Sequence, residues 1–212
     1  SRFFWIGAKS VSPKRICIVP WLPDSPGGPN SFYQKLIQGL ESCGIGVARS
    51  LDDEPYDVVL VINATRRMHR LWIAKRKGIR IVQRLAMPDY LHKMILPNWN
   101  PGHYVLGEIQ NLMMRLIRSK LADSIVYQSN YVQSRWEKNF GIANVSSRVI
   151  YNGVNLNMFS PDGTSYSTTA ERCLISVEGT QGVDMFDIAT NLAQGLARDD
   201  ATVELLVFGN IL

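Results

Sequence analysis

The chain has 212 residues, a formal net charge of +5 and a hydrophobic fraction of 46%. This size accommodates one full domain and part of another, and no apolar run approaches the roughly 20 residues that a membrane-spanning helix needs. The apolar run Phe3–Ile6 is too short for a secretory signal. The three cysteines form no CxxC pair and are interpreted as buried free thiols, so we expect a cytoplasmic protein without a metal site.

Strand-like and helix-like patterns alternate up to residue 150. Apolar runs predict strands at 15–20, 45–48, 57–62, 79–83, 124–128 and 147–150, and helical spacing of apolar residues predicts helices at 31–43, 66–77, 104–121 and 130–140. Ser129 is a predicted N-cap, and Gly44, Gly78 and Gly141 are placed to end helices. The alternation predicts an α/β fold with a doubly wound, mostly parallel, Rossmann-like sheet.

Apolar residues of the helix 104–121 are expected to face the core: Val105, Ile109, Leu112, Leu116 and Ile117.

Before this helix lies a long irregular stretch, 85–102, which contains three prolines. Loops of this length in compact domains are usually functional or disordered. The aromatic and methionine residues of the stretch favour a functional role.

Basic residues crowd one short part of the chain, from Arg66 to Arg80, and a smaller group lies between Arg115 and Lys120. Such clusters attract phosphate in nucleic acid, anionic lipid or nucleotide. The alternative is a solvated helix face. Trp72 is the only ring within the main cluster, so nucleic-acid binding is not expected.

A polar linker follows the first pattern, and a second, shorter pattern then begins. Residues 172–177 and 203–208 are predicted strands on either side of a helix at 183–197. The predicted organisation is a first domain at 1–161, a linker at 162–171 and the start of a second domain at 172–212. A single β-α-β unit of about 40 residues rarely holds a core alone, so we interpret the second domain as truncated, with packing of this unit on the first domain as the alternative.

Two turns are candidate ligand contacts. Gly27-Gly28 follows the first strand and precedes the first helix, where backbone N–H groups and the helix N-terminus favour an anion. The sequence there is neither GxGxxG nor a P-loop, and a tight structural turn is the alternative. Asn152-Gly153 lies where the last strand of the first domain ends, and a crossing between two α/β domains makes a cleft there.

Four segments in a fixed order form a more specific pattern: Gly27-Gly28 before a helix, Gln83-Arg84-Leu85, Ala122–Ser129, and Ile150–Asn155 with Phe159-Ser160-Pro161. The pattern resembles the GT-B glycosyltransferases of the large retaining family 4 over residues 15 to 209. The resemblance implies an acceptor-binding N-terminal domain and a C-terminal domain that binds a nucleotide-diphosphate sugar. It also implies sugar transfer without a bound metal or other cofactor, with leaving-group charge stabilised by basic groups and helix termini.

The sequence departs from the family pattern at three places. Residues 177–184 lack the Gly-Arg and Lys-Gly pairs that hold the donor diphosphate, although Gly182 remains. The E-x7-E pair that grips the donor would lie beyond Leu212. In the QRLDG-like segment Ala86 replaces Asp, and Asp89 lies three residues further on. We therefore expect this chain alone to be an incomplete and inactive part of a transferase.

The resemblance and the turns together give candidate binding residues for donor or acceptor: Gly27, Gly28, Asn30, Arg84, Asn152, Gly153, Val154 and Glu178. Arg84 is expected to bind phosphate or an acidic acceptor, with a structural arginine as the alternative. His103 and Asp89 are weak catalytic candidates, and an ordinary capping or solvent-facing histidine is the alternative for His103. The junction residues also fit a simple hinge turn.

The leading hypothesis is a sugar transferase that uses a nucleotide-sugar donor and a glycan or lipid-linked acceptor. The loop 85–102 is then the acceptor-facing element, unless it only packs on the sheet edge. The basic helices allow peripheral contact with the cytoplasmic membrane face. The alternative function is a non-catalytic Rossmann-like module that binds a glycan or phosphorylated ligand.

Overall fold

A computed structural model describes residues 14–21, 28–88, 101–156, 160, 162–163, 166–177, 183–198 and 202–208. The chain divides into two compact units, Ser1–Gly153 and Val154–Leu212. The loop residues 89–100, and with them Asp89, lie outside the described residues, as do Gly27 and Glu178.

The first unit is built on a six-stranded parallel sheet. Its strands run in the spatial order β2-β1-β3-β4-β5-β6: β1 Arg15–Val19, β2 Gly46–Ala48, β3 Val58–Ile62, β4 Arg80–Leu85, β5 Ser124–Tyr127 and β6 Ser146–Val149. Every neighbouring pair is parallel. The predicted α/β fold class is therefore confirmed. The strand order reverses between β1 and β3, which is the switch point of a doubly wound sheet.

Four helices and a π-helical turn connect these strands in the described part of the unit: α1 Gly28–Ser42, α2 Met68–Arg76, α3 Pro101–Leu116 continued by the turn Ile117–Leu121, and α4 Asn130–Phe140. The Ser129 hydroxyl accepts a hydrogen bond from the Val132 N–H at 3.2 Å, which confirms the predicted N-cap. Gly141 ends the same helix with φ +74°, a conformation that costs other residues more.

The side chains of the strands alternate between two apolar layers, as the two-residue period of a strand requires. Cys17 and Val19 face the larger core with α2, α3 and α4, whereas Ile16 and Ile18 face α1. Tyr33 is the buried anchor of the α1 layer. On β4 the alternation places Gln83 and Leu85 on one face and Arg84 on the other, toward α1.

The predicted inward face of α3 is wrong for four of its five residues. Val105, Ile109, Leu112 and Leu116 are between 41% and 53% exposed, and only Ile117 is fully buried. The buried side of the helix instead carries Asn111 and Met114. The helix has apolar residues on two faces, and the less obvious face packs on the sheet.

Most of the basic cluster around α2 is compensated by acidic side chains. Arg67 and Arg70 both pair with Asp52, at 2.6 and 3.1 Å. Lys75 pairs with Asp123, and Lys77 with Glu54, at 2.9 and 2.7 Å. These exposed pairs favour the interpretation of the cluster as a solvated helix face.

The expectation of buried thiols holds for one of the three cysteines. Cys17 is buried, whereas Cys43 and Cys173 are exposed. Burial raises the pKa of the Cys17 thiol to about 12.

The second unit contains β7 Arg172–Val177, α5 Val183–Ala197 and β8 Val203–Phe208, with β7 and β8 paired in parallel. These bounds match the predicted elements. Several of its apolar side chains are more than half exposed: Ile175, Val177, Ile188, Leu192 and Phe208. A two-stranded sheet with one helix has too little surface to cover them.

Candidate active site

The carboxyl edge of the six-stranded sheet gathers the polar groups of the first unit. Ligands of open α/β sheets bind beyond this edge, at the switch point. Here the switch point lies between β1, which leads to Pro20 and Trp21, and β3, which leads to Asn63. The helix α1 begins at Gly28 and carries Asn30 in its first turn.

Arg84 is the central charged group of this edge. Its Nη2 atom donates a hydrogen bond to Asn152 Oδ1 at 2.7 Å and a longer one to Gln128 Oε1 at 3.3 Å. Its guanidinium carbon lies 3.8 Å from the centroid of the Phe32 ring, and only 8% of the residue is exposed. The predicted site residues Arg84 and Asn152 are thus brought together by three strand ends and one helix.

The charge of Arg84 has no carboxylate partner among the described residues, since its contacts there are two amides and an aromatic ring. Burial lowers the pKa of Arg84 from its ordinary value, and the nearby Tyr33 hydroxyl opposes that shift. Burial likewise raises the pKa of Tyr33, whose hydroxyl donates a hydrogen bond to the Pro20 carbonyl. A partly buried cation with neutral partners favours an anionic ligand.

A layer of hydrogen bonds fixes the backbone that carries Arg84. Asn63 adopts φ +59°, its N–H donates to the Arg84 carbonyl, and its Oδ1 accepts from the Ala86 N–H, both at 2.8 Å. Gln83 Nε2 donates to the carbonyls of Asn63 and Met114 at 2.7 and 3.1 Å. The segment around Gln83-Arg84-Leu85 is therefore held in place by the Asn63 side chain and by the Gln83 side chain, which binds backbone carbonyls of Asn63 and of Met114 in α3.

Trp136 supports the same segment from α4. Its Nε1–H donates to the Ala86 carbonyl at 2.8 Å, and the side chain is fully buried. Ala86 stands where the family pattern has an aspartate, and both of its backbone groups are used in these contacts. Asn63 is a polar residue directly after an apolar strand, and this position is the sequence signal from which the supporting contacts could have been predicted. Nothing in the local sequence pointed to Trp136.

A cavity of about 220 Å³ lies beside α1 at the same edge. The amide side chains Asn30, Gln34 and Gln38 line it, together with Trp21 and Arg49. The Arg49 guanidinium stacks 4.5 Å above the centroid of the Trp21 ring. Amide groups that donate and accept, next to an aromatic face, are suited to a hydroxyl-rich ligand.

The other sequence-predicted residues are placed as follows. Gly28 is the first residue of α1, and His103 lies in the first turn of α3 with its side chain outside the described part. Gly153 is exposed and has open space around its Cα. Val154 is 56% exposed and belongs to the second unit. Their roles remain predictions.

The comparisons with known proteins agree with this architecture. The model of Glycosyltransferase Family 4 matches residues 9–158. Because this match spans more than half of the chain, the protein belongs to glycosyltransferase family 4. A comparison with curated proteins found no match.

Two solved structures of Anabaena Alr3699/HepE share the fold. The complex with UDP-glucose aligns with a TM-score of 0.52 and 15% identity, over 92% of this chain and 69% of that chain. The complex with UDP and glucose aligns with a TM-score of 0.53 and 14% identity, over 93% and 70%. At this level of identity the likeness shows the fold alone.

The described residues include neither a membrane-spanning helix nor a metal-binding cluster. None of the helices found there is long and apolar enough to cross a membrane. No group of three or more His, Cys, Asp or Glu side chains in those ranges is arranged to hold a metal ion.

Proposed function

We propose that this family 4 protein takes part in transfer of a sugar from a nucleotide-diphosphate sugar to a glycan or lipid-linked acceptor, with retention at the anomeric carbon. In this proposal the first unit binds the acceptor and the segment 172–212 belongs to the donor side. Family membership supports the reaction class. The donor class is supported by the structure of Anabaena Alr3699/HepE, which was solved in complex with UDP-glucose.

The observation that carries the acceptor side is Arg84 at the carboxyl edge of the sheet. The residue is 8% exposed, and no carboxylate among the described residues balances its charge. A phosphate or carboxylate on the ligand supplies the missing negative charge, so the acceptor is proposed to carry an anionic group near the transferred sugar. Asn152 fixes the orientation of the guanidinium and is proposed as a positioning residue.

The cavity beside α1 is proposed as the subsite for one sugar ring of the acceptor. Its volume of about 220 Å³ is below the roughly 300–1,000 Å³ of drug-sized ligand pockets. Three amide side chains can pair with sugar hydroxyls, and Trp21 provides an apolar wall. An oligosaccharide acceptor would extend from this subsite along the edge of the sheet.

Donor binding and transfer are tested separately. UDP-glucose is titrated into the chain by calorimetry, and radiolabelled transfer from UDP-glucose to lipid-diphosphate-linked and free glycan acceptors is measured. The proposal expects UDP-glucose to bind. It also expects transfer to at least one of the acceptors when the donor side is complete, and this transfer should be insensitive to EDTA. NMR of the product gives the anomeric configuration, and an inverted product would contradict retention.

The acceptor proposal is tested with Arg84→Met against Arg80→Met. Arg80 is an exposed arginine on the same strand, so its variant removes the same charge away from the edge. We expect Arg84→Met to raise the KM for an anionic acceptor at least tenfold while the KM for UDP-glucose stays unchanged. Equal effects of the two variants would refute an anionic contact at Arg84.

A second candidate function is a non-catalytic module that binds a glycan or phosphorylated ligand. It is favoured by the absence of both basic pairs of the donor loop from 177–184. This module would bind an anionic glycan with no measurable affinity for UDP-glucose.

Peripheral membrane contact is a further proposal, based on exposed Arg66 and Lys120, and flotation with anionic vesicles tests it.

A further inference from the structure

The outer face of α3 carries an apolar stripe that stays exposed in the part of the first unit that the structure describes. Val105, Ile109, Leu112 and Leu116 follow one another at intervals of four, three and four residues. All four are at least 41% exposed, while Met114 on the opposite side is buried. This alternation of three- and four-residue steps is the a/d pattern of a helix that packs against another helix.

A groove runs along the stripe and gives a second helix a place to lie. Its volume is about 430 Å³, and it lies between α3 and Phe140 at the end of α4. Val105, Ile109 and Leu112 form the apolar side of the groove. Glu108 and Arg115 line the same groove and stand one position before Ile109 and Leu116.

The stripe is complementary to itself when a second copy runs in the opposite direction. In an antiparallel pair centred between positions 109 and 112, Val105 meets Leu116 of the second copy, and Ile109 meets Leu112 of the second copy. The first kind of layer then pairs a valine with a leucine, and the second pairs an isoleucine with a leucine. Each of the four stripe residues therefore has an apolar partner in the second copy.

The charges fit the same register. In heptad notation Glu108 and Arg115 both occupy the g position, and in antiparallel coiled coils g positions face each other. Glu108 therefore meets Arg115 of the second copy, and the symmetry repeats this ion pair at the other end. The e positions are Leu106, which is 54% exposed, and Met113, which is partly buried against the core of the first unit. A parallel pair would instead place Glu108 opposite Met113 of the second copy, without an ion pair.

We propose that the protein forms a two-fold symmetric dimer through antiparallel pairing of α3. The interface is isologous, because the same patch serves both copies. A pair of 16-residue helices buries less than the roughly 800 Å² per partner of a standard interface. The dimer is therefore weak, with a dissociation constant of the order of micromolar.

The test is sedimentation velocity of the full chain over a range of concentrations. The wild type is expected to show a concentration-dependent monomer–dimer equilibrium, and Ile109→Asp is expected to remain monomeric. Gln110→Asp, one position away on an exposed polar site of the same helix, is the matched control and should dimerise as the wild type does. Circular dichroism confirms that each variant is folded.

Charge reversal distinguishes the antiparallel register from any other use of the stripe. Glu108→Arg and Arg115→Glu each place like charges opposite one another and should weaken the dimer about tenfold or more. The double variant restores both ion pairs with reversed polarity and should regain the wild-type dissociation constant.

Three outcomes would overturn the proposal. A wild type that stays monomeric at about 100 μM, far above the proposed constant, excludes the dimer. A double variant as weak as the single variants excludes the register. Flotation of a monomeric wild type with phosphatidylglycerol vesicles, lost in Ile109→Asp, would assign the stripe to a membrane surface instead.

Discussion

Arg84 donates a 2.7 Å hydrogen bond to Asn152 across 68 residues of sequence. The contact joins the end of β4 to the turn that follows β6, and the neighbouring strand end contributes Gln128. Since hydrogen bonds to charged groups contribute about 1.5–3 kcal/mol, the pair fixes the last turn of the first unit onto its sheet. It also decides which guanidinium nitrogens remain for a ligand.

We expect Arg84→Lys to lower the free energy of unfolding of the first unit by about 2 kcal/mol, because a lysine ammonium cannot reproduce the planar contacts to both amides and the Phe32 ring. Urea unfolding followed by circular dichroism measures this loss. Arg80→Lys on the exposed side of β4 should change the same quantity by less than about 0.5 kcal/mol. An equal loss in the two variants would mean that the Arg84 contacts do not stabilise the fold.

Substitutions at Asn63 should follow an unusual order of stability, with glycine tolerated better than alanine. Its φ of +59° is strained for alanine but not for glycine, and both variants lose the Oδ1 contact to the Ala86 N–H. Asn63→Gly should therefore be more stable than Asn63→Ala by about 1 kcal/mol in thermal or urea unfolding.

The matched control for this order is Asn139, an exposed residue within α4. In a helix alanine is favoured over glycine by up to about 1 kcal/mol, so Asn139→Ala should be more stable than Asn139→Gly. The same order at both positions would contradict the role assigned to the backbone of Asn63.

The stability of the first unit should fall as the pH rises above about 9. Burial raises the pKa of the Cys17 thiol from 9.0 to about 12, and burial also raises the pKa of Tyr56 to about 12. Between pH 9.0 and about 12 the unfolded chain has released the thiol proton while the folded chain still holds it. The folded state then binds more protons, so the free energy of unfolding decreases with pH.

Cys17→Ala should reduce this slope, and Cys43→Ala should leave it unchanged, since Cys43 is exposed. Urea unfolding at pH 8, 9.5 and 10.5 measures the slope independently of any loss of packing at neutral pH. A slope that is identical in wild type and Cys17→Ala would exclude the thiol as a contributor.

Asp52 holds two arginines of the basic cluster, Arg67 and Arg70. Asp52→Asn should increase retention on a phosphocellulose column and steepen its dependence on salt, because both guanidinium groups lose their carboxylate. The change in stability should stay below about 1 kcal/mol, as the pairs are exposed.

Asp162→Asn makes the same change in net charge at an exposed position of the second unit and serves as the control. If it increases retention as much as Asp52→Asn does, net charge explains the effect. The local pairing around α2 would then have no part in masking the cluster.

Local signals were sufficient for most elements. The helix Asn130–Phe140 was predicted with both ends correct, because the Ser129 cap and the Gly141 stop act within a few residues of the helix they bound. The parallel sheet followed from strand and helix alternation, since a strand that returns in the same direction needs a crossover. The packed face of α3 could not be predicted this way, because both faces carry apolar residues and only the position of the sheet selects one.

In the candidate site, too, individual residues were predicted from local motifs, whereas their contacts were not. Arg84 and Asn152 were singled out separately from short motifs, and the sequence offered no reason to join them. The supporting contacts of Asn63, Gln83 and Trp136 to one short segment were not anticipated either. Each of these contacts depends on where three or more strand ends come together.

The amino-acid sequence by itself determined the α/β alternation, the family and the candidate turns, because periodicity, caps and motifs are properties of neighbouring residues. Only the tertiary structure decided which face of α3 is free, which arginines are neutralised and what surrounds Arg84. These outcomes depend on distances between residues far apart in the chain. Such distances are set by the packing of the whole sheet and its helices, and no local pattern encodes them.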